Sequence, residues 1–261
     1  MRIFFVANWM FFASTLPFLV WDSQVLDWAH IWAPLACSLI RFVGLVLVFH
    51  TIRVGDVSLQ VPLIGTKVIF VAFFVYLLGA AGISTELWIA SFMTVGGVAL
   101  MSKGVTSSQD AGRIFKTVIY TLLSAILFGM NDALVQVEAP HFGVVPFMVV
   151  SSGGTAIASV FLMPFFRSRL QDISRGCWGW LWLGSFLLGI EVILLFCAIS
   201  FYSQAAAANI VYNTRSLWSI VLVWFLGHWF DNQEREIGGA IMFRRLLGAL
   251  LLLVAVALVL T

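Results

Sequence analysis

Apolar stretches of helical length follow one another from end to end of this chain, and that recurrence leaves few folds open. Runs near 3–21, 29–50, 57–79, 86–101, 116–137, 143–166, 178–199, 205–228 and 238–260 mostly match the roughly 20 residues a helix needs to cross a hydrocarbon core. They exceed strand length and do not alternate with period two, which argues against a membrane barrel. Lipid offers the backbone no water, so each run is expected to be a helix satisfying its own hydrogen bonds. Composition agrees, with 62% of the 261 residues apolar and 10% charged, against roughly 45–50% and 25% in a soluble domain. The fold class predicted is an all-α integral membrane protein of about nine transmembrane helices. The lipid bilayer is its largest partner, and no sizeable soluble domain fits in what is left.

Other classes fall away quickly. Arg2 before an apolar run resembles the start of a signal peptide. However, Ile3 to Trp21 is long for such a core, and Asp22-Ser23-Gln24 offers no small-residue cleavage site. A net charge of +2 is too small to suggest nucleic acid. Cys37, Cys177 and Cys197 have no metal-ligand spacing and read as apolar fillers. His30, His50, His141 and His228 fall near span ends, so no metal or cofactor is expected. There is no Gly-rich phosphate loop, Cys-x-x-Cys or His-Glu-x-x-His, so no catalytic residue is assigned and an enzyme is not expected.

The loops divide by charge. The N-terminus and the loops after spans two, four, six and eight, with the start of span nine, carry Arg2, Arg53, Lys103, Arg113, Lys116, Arg167, Arg169, Arg175, Arg235, Arg244 and Arg245. The opposite loops carry no Lys or Arg, and Asp22, Asp27, Glu86 and Glu138 lie on or near them. The positive-inside rule puts the first side in the cytoplasm and Thr261 outside. The expected location is a multi-pass protein of a bacterial-type plasma (inner) membrane.

The chain also matches itself. At an offset of 148, Leu47, Thr66, Val75, Leu78 and Gly79 meet Leu195, Thr214, Val223, Leu226 and Gly227, while Lys67 meets Arg215 and Tyr76 meets Trp224. Pro17-Phe18 meets Pro164-Phe165 at 147, and Gly97 meets Gly248 at 151. The register pairs spans one to four with six to nine and leaves span five alone, an incomplete inverted repeat (4+5). The domains expected are 1–102, a first repeat of four helices; 103–115, a linker; and 116–261, a second repeat of five. An odd offset of five helices inverts one copy against the other, a plan that secondary transporters use to place a site near mid-membrane.

Ala205-Ala206-Ala207-Ala208-Asn209 through Phe225-Leu226-Gly227, then Gly238-Gly239 and Leu247-Gly248-Ala249-Leu250, resemble the drug/metabolite transporter superfamily, specifically its EamA-like permeases. Ser58-Leu59-Gln60-Val61-Pro62-Leu63, Leu78-Gly79 and Gly96-Gly97-Val98-Ala99-Leu100 repeat the pattern more faintly. The resemblance implies a carrier of two inverted five-helix repeats whose first helix is lacking here. It also implies a cytoplasmic C-terminus, against the charge count. Where the family often has Glu after Leu-Gly, this chain has Ala80 and His228.

Ionisable groups inside a bilayer are costly and mark function by default. Arg41, Lys67, Asp132, Glu191 and Arg215 sit well within spans. Lys67 and Arg215 each lie about ten residues into their helices, about 15 Å deep and so near the midplane, too far to snorkel. The candidate substrate-binding set is Lys67, Arg215, Tyr212, Asn213, Asp132, Glu191 and Arg41. Its surplus of positive charge suits an anionic or zwitterionic solute. The competing reading is that the cations pair permanently with Asp132 and Glu191 to hold helices together. Asp132 and Glu191 also suit a coupling ion or proton. Asn209 and Ser216 extend the polar face around Arg215, and Asn131 and Gln136 that around Asp132. The Ser151/Thr155/Ser159 ladder suits close helix packing. Trp178, Trp180 and Trp182 suit an interfacial belt. Pro62 should kink span three.

The function expected is a membrane carrier moving a small polar, anionic or zwitterionic metabolite by alternating access. The alternatives are a non-transporting membrane scaffold or subunit, and a lipid-head-group flippase or membrane-embedded enzyme.

Overall fold

The computed structural model describes residues 2–20, 27–54, 60, 63–79, 84–102, 111–165, 175–215, 218 and 239–260. Among them every regular element is helical and no strand occurs. The described residues form nine α-helices in order: α1 Arg2–Thr15, α2 Trp32–Val54, α3 Lys67–Leu77, α4 Thr85–Ser102, α5 Ala111–Phe142, α6 Val144–Val160, α7 Arg175–Tyr202, α8 Ala205–Asn213 and α9 Gly239–Leu260. Four helical stretches, Arg2–Val20, Trp28–Arg53, Phe115–Phe142 and Gly176–Tyr202, are long and apolar enough to cross a membrane. The face of α7 agrees with lipid contact, since Trp180 is 78% exposed and Phe186, Leu187 and Leu188 are also exposed. Such an apolar surface is unfavourable in water.

Several bounds differ from the sequence pattern. α5 runs further at both ends than the apolar run 116–137, reaching through Glu138 and Pro140 to Phe142 and starting at Ala111, inside the stretch read as a linker. Its ends are polar, so hydropathy undercounts them. α1 stops at Thr15 and passes into a 3₁₀ turn, Leu16–Val20, around Pro17, which has no N–H to donate. α6 likewise stops at Val160 ahead of a 3₁₀ turn, Met163–Phe165, that contains Pro164. α3 ends at Leu78 and Gly79, with Gly79 at φ +66, the left-handed position that terminates a helix. Pro62, the expected kink of span three, lies outside the described residues. Among the described residues of that span the helix is interrupted at Thr66.

The chain forms two compact units, one of Met1–Phe49 with Met130–Ala205 and the other of His50–Gly129 with Ala206–Thr261. In the first, α1 lies against α6 and α7. Small residues let the helices come close. A methyl group added at Gly154 would lie 2.6 Å from Ser38 Oγ, and one at Gly153 would lie 2.9 Å from the Phe12 ring. Hydroxyls stitch the same seam. Thr155 Oγ1 lies 2.9 Å from Ser151 O and 3.2 Å from Ser38 O, either of which can accept its proton, and Thr15 and Ser152 share a hydrogen bond of 3.0 Å. At the other end of α1, buried Phe4 meets Phe49 edge-on with ring centroids 4.9 Å apart.

In the second unit α3, α4, α8 and α9 each place one fully buried residue in a common core: Val68, Ala90, Ile210 and Ala255. α4 and α9 cross at Gly97, where an added methyl would lie 2.8 Å from the carbonyl oxygen of Gly248. α5 crosses α3 at Gly129, where an added methyl would come within 2.7 Å of Phe70 Cβ and 3.0 Å of the backbone. That crossing seats the first turn of α3, where Lys67 stands.

Candidate functional site: two broken helices and a shared tyrosine

Threonine is an uneasy resident of a helix, because its hydroxyl competes for the carbonyl one turn back. The second unit uses this twice. Thr66 N–H donates to Leu63 O at 3.1 Å, and Thr66 Oγ1 donates to the same oxygen at 2.6 Å. Thr214 N–H donates to Val211 O at 3.0 Å, and Thr214 Oγ1 donates to that oxygen at 2.7 Å. In a regular helix each of those carbonyls accepts the N–H four residues on, which belongs to Lys67 or to Arg215. Each cation therefore follows directly on a tightened turn.

The two breaks are joined. Asn213, buried at 7% exposure, donates Nδ2–H to Gly65 O at 3.3 Å across 148 residues. Gly65 itself faces Val98 of α4, where an added methyl would lie 3.3 Å from the valine side chain.

Tyr212 then gathers both cations. Lys67 Nζ lies 5.2 Å from the centroid of its ring and Arg215 Cζ lies 4.3 Å from it. Arg215 Nη1 also donates to Tyr212 Oη. Each cation–ring contact is worth about 0.5–2 kcal/mol, more where water is excluded. The ring offsets part of the repulsion between two like charges held close together. It does not neutralise them, so an anion beside the pair would be favoured. Arg215 is exposed, and Lys67 and Tyr212 are half-buried.

Four of the seven residues singled out in the sequence thus come together: Lys67, Tyr212, Asn213 and Arg215. Ser216 lies outside the described residues. The other three belong to the first unit. Arg41, half-buried on α2, lays its guanidinium 4.3 Å over the Phe11 ring. Asp132, buried on α5, accepts from Asn131 Nδ2 at 3.3 Å. Arg41, Asp132 and Glu138 all lie within electrostatic reach of Cys37, whose Sγ points at Asn131 O. Glu191 is half-buried on α7.

Gln136, read in the sequence as part of the polar face around Asp132, has a further role, and Ser203 escaped the sequence pattern. Gln136 Oε1 accepts the N–H of Ala205 at 2.7 Å and so caps the first turn of α8, the helix that carries Asn209, Tyr212 and Asn213. Ser203, at φ +51, turns the chain just before that cap. The two threonine hydroxyls were visible only as an identity at offset 148, and nothing in the sequence distinguished Gly129 from other glycines.

A second polar group lies at the 3₁₀ turn Trp28–His30, just before α2. Asp27 accepts from Ala29 N–H at 3.1 Å and pairs with His30 Nδ1 at 2.8 Å. The His30 ring stacks on His141 with centroids 5.5 Å apart. The Ala29 N–H, then His30, hold the Asp27 carboxyl below its ordinary range. Among the described residues no cluster of His, Cys, Asp and Glu has the arrangement of a metal site.

No family model matches this sequence, and no curated protein matches it. Among solved structures, a chain described as "Crystal structure of protein" superposes with a TM-score of 0.65 at 11% identity, over 99% of this chain and 88% of the other. At that identity the likeness carries the fold alone.

Proposed function

We propose that this protein is a multi-pass carrier of the inner or plasma membrane, similar to EamA-like permeases, that moves a small anionic or zwitterionic metabolite by alternating access. The observation that carries this reading is the convergence of Lys67 and Arg215 on Tyr212, each cation set directly after a broken helical turn. Discontinuous helices with polar groups at the break are how secondary transporters hold solutes within a bilayer. A pair used only to fasten helices would need no ring shared by two cations.

The repeat supports the same reading. At an offset of five helices α1 and α2 pair with α6 and α7, and α3 and α4 pair with α8 and α9. The first unit holds α1, most of α2, α6 and α7, and the second α3, α4, α8 and α9, so the pairing maps each unit onto itself. Matched positions also touch, Gly65 with Asn213 and Gly97 with Gly248, as residues near a pseudo-two-fold axis do. Nine spans with the Lys/Arg-rich loops inside complete the topology.

The experiment is transport by purified protein in liposomes on a solid-supported membrane, challenged with concentration jumps of monocarboxylates, dicarboxylates, amino acids and organic phosphates. A current or counterflow with one class, lost in Lys67→Met, is the expected result. A correctly inserted protein that neither transports nor is thermally stabilised by any class is a scaffold, and the carrier proposal falls.

A further inference from the structure

Thr66 and Thr214 make the same two hydrogen bonds at matched positions, each onto the carbonyl three residues back. Residue for residue, Leu63-Ile64-Gly65-Thr66-Lys67 stands against Val211-Tyr212-Asn213-Thr214-Arg215. Threonine is shared, whereas the residues just before it differ: Gly65 against Asn213 and Ile64 against Tyr212. Packing alone does not account for that choice, because valine has nearly the same shape and a similar helix propensity and buries no polar atom in an apolar span. What valine lacks is the hydroxyl, and it is the hydroxyl that doubles the bond to Leu63 O or Val211 O.

We propose that Thr66 and Thr214 are a matched pair of positioning residues that aim Lys67 and Arg215 at the solute site. This rests on the carrier reading above. A turn closed at i−3 advances each residue by about 120° instead of about 100°. The side chain directly after it is thereby rotated about the helix axis relative to its place in a regular helix. At the end of a lysine or arginine, a rotation of about 20° displaces the charge by roughly 2 Å. That is enough to bring a cation onto the Tyr212 ring or take it off. The hydroxyl holds each turn in its tightened form and leaves the choice of cation to the next residue. An ammonium therefore follows one break and a guanidinium the other without loss of the geometry.

The test needs no known substrate. In full-length protein with Cys37, Cys177 and Cys197 replaced by alanine, Lys67→Cys and Arg215→Cys are each labelled with the anionic reagent 2-sulfonatoethyl methanethiosulfonate. Each is then remade with the preceding threonine changed to valine, alanine or serine. With threonine or serine in place the introduced thiol should react at similar rates. With valine or alanine the rate should fall about fivefold, the shift in population that one lost hydrogen bond supports. Alanine serves where valine fails to insert. Undiminished labelling of the valine and alanine variants overturns the positioning role and leaves the carrier reading standing. Failure of the reagent to reach either thiol with both threonines intact overturns the site itself, and the positioning role with it.

Discussion

Asn213 donates its side-chain amide to the carbonyl of Gly65, 148 positions earlier, at 3.3 Å. Glycine at one position and asparagine at its counterpart allow a single hydrogen bond to close the space between two helices. Asparagine at both would crowd it, and glycine at both would leave it open. The same division of labour recurs where Tyr212 stands opposite Ile64 in the register. Tyr212 supplies the ring, and Lys67 and Arg215, which meet at the offset of 148, each bring a cation to it.

Close crossings in the second unit are sensitive to one methyl group. Gly97→Ala would set a carbon 2.8 Å from Gly248 O, whereas a methyl at neighbouring Gly96 would meet nothing within 4 Å. Gly97→Ala should lower stability by about 1–3 kcal/mol, the cost of overpacking, and Gly96→Ala should be close to neutral. Thermal unfolding of both in detergent checks this, and equal effects would contradict the crossing.

Gln136 should matter for α8 through its oxygen. Gln136→Leu leaves the Ala205 N–H buried without its present acceptor, a loss of about 1–3 kcal/mol. Gln136→Glu keeps an acceptor at a helix start and should be milder. Hydrogen exchange at Ala205 to Asn209 reads the difference. Equal protection in Gln136→Leu and the unmodified protein would show that another group caps the helix.

The 3₁₀ turn Trp28–His30, just before α2, should respond to acid. The folded Asp27 carboxyl titrates below its ordinary range, so its contribution is complete at neutral pH and disappears as pH falls through that depressed value. Exchange of the Ala29 amide should therefore speed up, beyond its intrinsic pH dependence, only under acid. Asp27→Asn should remove that acid-dependent component. A component that survives the substitution would assign it to another group.

The sequence made the helical architecture legible because it rests on hydropathy, a property of every residue in a span. Lys67, Arg215, Tyr212 and Asn213 were legible because a mid-span cation and its polar neighbours stand out against apolar surroundings. The helix breaks were not, since a threonine in an apolar span packs as valine does until its hydroxyl is seen to turn back on the chain. Proline drew attention to position 62, which lies outside the described residues, and nothing in the pattern drew attention to the tightened turn at Thr66. Gln136 read only as part of the polar face around Asp132, because nothing local marks a glutamine that will meet a helix start 69 residues on. Gly129 was silent for the same reason: the need for closeness belongs to the partner helix.

Lys67 and Arg215 are proposed to bind an anionic group, and solute binding by unmodified, Arg215→Lys and Arg215→Met protein measures this most directly. A guanidinium offers a planar fork of donors that an ammonium lacks. Binding of the solute class identified in liposomes, followed by thermal stabilisation, should weaken in Arg215→Lys although the charge is kept. It should vanish in Arg215→Met while the unliganded unfolding temperature barely moves. Arg215→Met protein that binds as well as the unmodified chain, or that loses binding only because it no longer folds, would contradict the account and leave Arg215 a structural residue.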